Sequence, residues 1–222
     1  MTIPIYIGFD EKEKEAAHVL IHSIVSRTRM DLKFHLLIKN QIKEYTRPRA
    51  DNESTDFSLT RFMVPYLNKY HGPAIFMDCD MLCRCDISEI LSEFNDQGNK
   101  AIYVCKHEYT PKSDVKFLGQ QQTKYERKNW SSFIVFNTGL CTALTPEYVN
   151  TAGGLDLHRF KWLDDSEIGN LPLTWNWLVD EYEHKEEAKM IHFTLGGPWF
   201  EEYKECDYAN EWFAEFERWK DA

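Results

Sequence analysis

The stretch AIFMDCDMLCRCDI, residues 74–87, decides how this chain is read. Ile75, Phe76 and Met77 make an apolar segment that runs straight into Asp78-Cys79-Asp80. Successive strand residues point to opposite faces with a rise of about 3.3 Å, so Asp78 and Asp80 share a face with Cα atoms roughly 7 Å apart. Two carboxylates at that spacing can converge on one hard cation such as Mg²⁺ or Mn²⁺. Open α/β sheets bind ligands beyond the carboxyl ends of their strands, where this pair sits. The thiols are the rival ligands. Cys79, Cys83 and Cys85 fall on the opposite parity, Cys79 and Cys83 stand about 13 Å apart in extended chain, and no C-x-x-C or nearby His completes a four-ligand zinc site. The carboxylates are the better candidates, and the cysteines read as core or surface thiols. A D-x-D triplet also occurs by chance, and acids often end strands because they are solvated, so the rest of the chain must weigh in.

Working outward, residues 3–8 alternate like a buried strand, the apolar residues from Ala17 to Ile24 have helical spacing, and residues 32–38 read as a second strand. Strand, helix, strand at this spacing predicts a βαβ unit and a mostly parallel sheet. Residues 40–56 are polar and irregular. Leu59, Phe62, Met63, Tyr66, Leu67 and Tyr70 then follow a helical period, with Pro65 set to kink the helix or mark its first turn. Asp86-Ile87-Ser88-Glu89 has the form of a helix start. Strands are expected at 101–105, 131–137 and 190–194, and Trp212, Phe213, Phe216 and Trp219 mark one face of a closing helix. There is no internal repeat and no Gly/Ser-rich linker. One α/β domain over residues 1–222 is expected, with a ligand-binding half at 1–105 and a second half at 106–222.

Composition bounds the function. A formal charge of −10 over 222 residues argues against a nucleic-acid backbone or an anionic membrane as partner. Phosphates would have to be handled locally, through a metal or a few placed cations. The 7 Trp, 11 Tyr and 14 Phe suit sugar faces and cores alike. The opening MTIPIYIGFD lacks a basic, apolar leader, and no run approaches the roughly 20 apolar residues of a membrane span. Six cysteines without disulfide-framework spacing point to a reducing compartment, and a cytoplasmic protein is expected.

The assembled motifs resemble a retaining glycosyltransferase of the nucleotide-diphospho-sugar-binding type-A fold, in the glycogenin and lipopolysaccharide galactosyltransferase group, glycosyltransferase family 8. TRFMVPYLNKYHGPAIFMDCDMLCRCDI (60–87) is similar to that family's Arg-bearing helix, strand and D-x-D. FNTG (136–139), LDDSEIGNLPLTWNWL (163–178) and IHFTLGGPWF (191–200) resemble its F-N-[ST]-G, its acidic segment and its H-F-x-G-x-x-K-P-W, and IYIGFD (5–10) its first strand. YTRPR, EYTPK, RKNWSS, RFKWLDDSEIG and GGPWF look like the marks of a closer, largely uncharacterised subgroup. The resemblance implies a mixed, mostly parallel Rossmann-like sheet.

It also implies roles. Asp78 and Asp80 would ligate Mn²⁺ or Mg²⁺ with His192, and Asp78 would also meet the donor ribose. Phe9 and Asp10 would meet the uracil, and Arg61 would brace an acid or touch the donor. Asn137 and Gly139 would meet sugar hydroxyls, or form a plain turn. Asp164 and Asp165 would face the donor sugar, or cap a helix. Asn176, with Trp175, would line the acceptor site unless the tryptophans are core. The family's lysine before Pro-Trp is absent here, where Gly196-Gly197 precede Pro198-Trp199. The two glycine N–H groups as an anion nest, or Arg127 and Lys128, are the expected substitutes. The implied activity is metal-dependent transfer from a UDP-sugar or another nucleotide-diphosphate sugar to an unspecified acceptor. The alternatives are a non-catalytic nucleotide-sugar binder and, disfavoured by GFDEKEKE after the first strand, a sugar-1-phosphate nucleotidyltransferase. Oligomeric state is not legible.

Overall fold

The computed structural model describes residues 2–49, 55–93, 97–108 and 126–222. Residues 109–112 of the EYTPK stretch therefore lie outside the described residues. In chain order the elements are β1 (Ile3–Gly8), α1 (Lys14–Val25), β2 (Leu32–Leu37), α2 (Val64–Leu67), β3 (Pro73–Met77), β4 (Met81–Cys83) and β5 (Ile102–Cys105). There follow β6 (Phe133–Asn137), α3 (Pro146–Thr151), α4 (Gly154–His158), β7 (Ile168–Leu171), β8 (Trp177–Leu178), β9 (Met190–His192) and α5 (Ala209–Lys220).

The βαβ reading holds. β1 pairs in parallel with β2 and with β3, and β5 with β7. A six-stranded sheet has the order β2-β1-β3-β6-β5-β7, in which β6 runs antiparallel to both its neighbours. Strands from both sides of residue 105 thus share one sheet. Its centre is fully apolar: Ile5, Ile7, Phe76, Met77, Ile134 and Phe136 are each completely buried. Each such side chain contributes on the order of 1.5–3 kcal/mol of burial. A second sheet, β4-β9-β8, carries its own cluster of Leu82, Ile191 and Phe193 with Trp212 from α5. α1 lies between the two, giving Ala17, Leu20 and Ile24 to the main core and Val19 to the smaller one.

The helix expected over residues 59–70 is shorter than its periodicity. Thr60–Met63 form a 3₁₀ turn and α2 keeps only Val64–Leu67. Pro65 falls in the first turn of α2, where its missing N–H costs nothing. Lys69 and Tyr70 then take φ values of 56° and 51°, left-handed backbone that stops the helix. Arg61 consequently sits on the 3₁₀ turn. The start at Asp86 is also 3₁₀ (Ile87–Ser92), its carboxylate accepting from the Ser88 N–H at 2.9 Å.

Candidate active site

Asp78 and Asp80 stand where the chain passes from one sheet to the other. Asp78 follows the last residue of β3, and its N–H donates to the Ser132 carbonyl at 3.0 Å, just ahead of the start of β6. Asp80 precedes β4, and its carbonyl accepts from the Phe193 N–H at 2.9 Å, just past the end of β9. β4 and β9 are antiparallel with Met81 opposite His192, so the second sheet delivers His192 beside the acids. The two carboxylates converge because the chain bends at residues 79 and 80, not because they share one continuous strand face. Cys79 points away, its thiol donating to Glu13 at 3.8 Å.

His192 Nε2 lies 3.4 Å from Asp80 Oδ1 and 4.0 Å from Asp78 Oδ2. One ligand atom from each of the three residues falls within 4.8 Å of the others. Asp80 Oδ1 is buried and makes no hydrogen bond. Two carboxylate oxygens and one imidazole nitrogen are a donor set that suits Mn²⁺ or Mg²⁺, and a buried acceptor without a donor is what a cation would satisfy. The residues therefore fit the expected divalent ion.

Arg61 braces this corner. Its guanidinium reaches Asp78 Oδ1 at 3.0 Å and donates to the carbonyls of Ser131 (2.7 Å) and Ser58 (2.9 Å). It lies over the rings of Phe57 and Phe76 and is 5% exposed, so its role here is to hold Asp78. Glu13, which had no signature in the charged run EKEKE, is buried below the acids. Its burial, followed by the negative charges of Asp80, Asp10 and Asp78, pushes its carboxyl well above the ordinary range. His107, just past β5, is a second buried histidine at this edge of the sheet. Its Nδ1 lies 2.9 Å from the Tyr182 hydroxyl, and burial, with His192 nearby, lowers its pKa to about 3.

Other expected site residues are placed differently. β6 runs antiparallel to β3 with Asn137 opposite Pro73 and Phe133 opposite Met77. FNTG therefore ends at the far edge of the sheet, about 13 Å of strand from the acids. There Asn137 donates to Asn99 at 2.7 Å, and Gly139 packs against the Tyr70 carbonyl, the plain-turn alternative. The edge near the acids is supplied instead by Asn129, Trp130, Ser131 and Ser132 at the head of β6. Asp164 forms a capping box with Glu167, and Asp165 pairs with Arg127, whose guanidinium also donates to the Arg159 carbonyl at 2.7 Å. That segment thus takes the helix-cap alternative, and Arg127 is engaged by it. Lys128 is buried.

Both oxygens of Asp10 accept backbone N–H groups, from Lys12 at 3.0 Å and Asp56 at 3.1 Å, which makes it a turn-forming cap. Phe9 is half-buried against the core. Trp175 and Asn176 are both completely buried, so neither side chain is exposed to an acceptor. Trp175 is core, and Asn176 meets His192 Nδ1 at 2.9 Å. At the glycine pair the Gly196 N–H is taken by the Phe193 carbonyl at 2.9 Å, and the Trp199 ring lies where a Gly197 side chain would be.

No family model matches the chain. A search of curated proteins finds Protein CDI of Arabidopsis thaliana, 41% identical over 225 residues, covering 97% of this chain and 86% of that protein. The chain belongs to the family of Protein CDI. Among solved structures it is similar to the WbbM bifunctional glycosyltransferase, with a TM-score of 0.67 and 17% identity over 97% of this chain. It spans about half of that protein, 49% of its length. It is also similar to the galactosyltransferase LgtC, solved with donor and acceptor sugar analogues, with a TM-score of 0.62 and 9% identity over 97% of this chain and 96% of that one. This CDI-family chain thus has the type-A glycosyltransferase fold. No helix among the described residues is long and apolar enough to cross a membrane.

Proposed function

We propose that this protein is a metal-dependent glycosyltransferase that moves a sugar from a nucleotide-diphosphate sugar, a UDP-sugar, to an acceptor hydroxyl with retention at the anomeric carbon. The observation that carries the reading is the convergence of Asp78, Asp80 and His192. A divalent ion held there, Mn²⁺ or Mg²⁺, would supply neutralisation of the charge that develops on the leaving diphosphate. The chain's own part is to present the three ligand atoms and to keep Asp78 oriented through Arg61. Transfer forms a bond from the acceptor oxygen to the anomeric carbon while the bond to the diphosphate breaks, and the acceptor proton passes to the departing phosphate. Six free cysteines support a reducing, cytoplasmic setting.

The test is a panel of UDP-, GDP- and CDP-sugars with Mn²⁺, read for donor binding and hydrolysis. UDP-sugar turnover is expected, and Asp80→Ala should abolish metal-dependent donor binding. UDP and Mn²⁺ bound by that variant as tightly as by the wild type would overturn the assignment. A second reading, a nucleotide-sugar binder without catalysis, is favoured by the missing lysine and by the Gly196 N–H being already taken. Binding without turnover, with candidate acceptors present, would select it.

A further inference from the structure

The buried Asn176 has its hydrogen-bonding directions dictated from behind. Its Nδ2 lies 3.1 Å from the backbone carbonyl of Asn129, a group that can only accept, and 2.8 Å from Ser132 Oγ. The Ser132 hydroxyl itself donates to that same carbonyl at 2.7 Å, so toward Asn176 it too must accept. The side-chain amide therefore turns its NH₂ to both acceptors, and its oxygen is left facing His192 Nδ1 at 2.9 Å. An amide oxygen cannot donate, so Nδ1 must carry the proton. In the neutral ring Nε2, 3.4 Å from Asp80, is then the nitrogen with the bare lone pair. The sequence of obligations begins at Asn129, whose left-handed backbone (φ 61°) opens the turn into β6.

We propose that Asn176 is a positioning residue that locks His192 in its Nδ1–H tautomer, so that Nε2 is always available as a ligand. The purpose of the lock rests on the metal reading above, but the tautomer itself does not. Ser132 belongs to the same device, because its carbonyl also holds the Asp78 N–H. One residue at the head of β6 thus sets the backbone of one ligand and, through Asn176, the ring of another. Partners of this kind behind a metal-binding histidine typically tune affinity by about 10- to 100-fold.

Long-range ¹H–¹⁵N correlation of His192 in the metal-free protein at pH 8 tests the lock. The wild type should show a protonated Nδ1 and a bare Nε2. Asn176→Ala should release the second tautomer and weaken Mn²⁺ binding, read by calorimetry, by about 10- to 100-fold. Ser132→Ala leaves the Asn129 carbonyl to orient the Asn176 amide and should keep the Nδ1–H tautomer and most of the affinity. An Nε2–H form or an imidazolium in the wild type overturns the proposal without reference to any variant, as does an unchanged tautomer in Asn176→Ala. A wild type with the Nδ1–H form that fails to bind Mn²⁺ would uphold the lock and remove the metal reading.

Discussion

Two clusters of buried carboxylates among the described residues have opposite surroundings. Glu215 on α5 is completely buried between Arg27 (2.7 Å), His22 (2.7 Å) and Arg218, with the Ser26 hydroxyl donating at 3.4 Å. Although burial alone would raise its pKa, the hydrogen bonds and charge of Arg27 and Arg218 bring it down to about 2. At the sheet edge, Asp78 is answered by Arg61, while Asp80 Oδ1 makes no hydrogen bond and Glu13 is pushed upward. The first cluster carries its own cations and ties α5 to α1. The second is left short of positive charge, as a cation-binding site has to be before it is filled.

The largest expected effect is at the satisfied cluster. Glu215→Ala removes the buried acid that joins Arg27, His22 and Arg218 and should cost about 3 kcal/mol in urea unfolding, the size of its pKa shift. A loss below about 1 kcal/mol would mean the cluster behaves as a surface pair. The same acid contributes to the pH dependence, beside Asp86 and Glu93, which hydrogen bonds also hold below the ordinary range. The folded pKa of Glu215, about 2, lies below the ordinary 4.5. Its contribution is therefore fully present above about pH 4.5 and disappears as pH falls toward 2, a span worth about 3 kcal/mol. Its share of the acid-side slope should be missing in Glu215→Ala.

The unsatisfied cluster should respond in the reverse sense. Asp80→Asn removes a negative charge that lies beside Asp78 and acts on the buried Glu13, so the metal-free protein should keep its stability or gain up to about 1 kcal/mol. What it should lose is stabilisation by Mn²⁺, which for the wild type is expected to reach about 2.7 kcal/mol at a hundred times Kd. Thermal melts with and without Mn²⁺ measure both quantities. Metal-free destabilisation of several kcal/mol would show that Asp80 is a structural acid like Glu215, and the contrast would fail.

The smallest effect tests strand direction, which is also where the sequence was least legible. Local spacing was enough for β1, α1, β3, β6 and α5, and parity with the D-x-D pattern was enough to single out Asp78 and Asp80. His192 was reachable through motif order. The bend that brings the two acids together, the buried Glu13 and the Asn129–Ser132–Asn176 chain were not, because each depends on contacts between residues far apart in sequence. Asn137 shows the reason most plainly. As a string, FNTG ends a buried strand and looks ready to meet a ligand, but nothing in a string states that β6 runs against β3. The antiparallel register puts Asn137 level with Pro73 and gives the ligand edge to Ser132. Asn137→Ala should thus cost about 1 kcal/mol or less, the worth of its hydrogen bond to Asn99, and leave Mn²⁺ and UDP affinity unchanged. If that variant instead weakened donor binding tenfold, the far edge of the sheet would have to take part in the site, and the direction of β6 would no longer separate ligand-binding from structural residues.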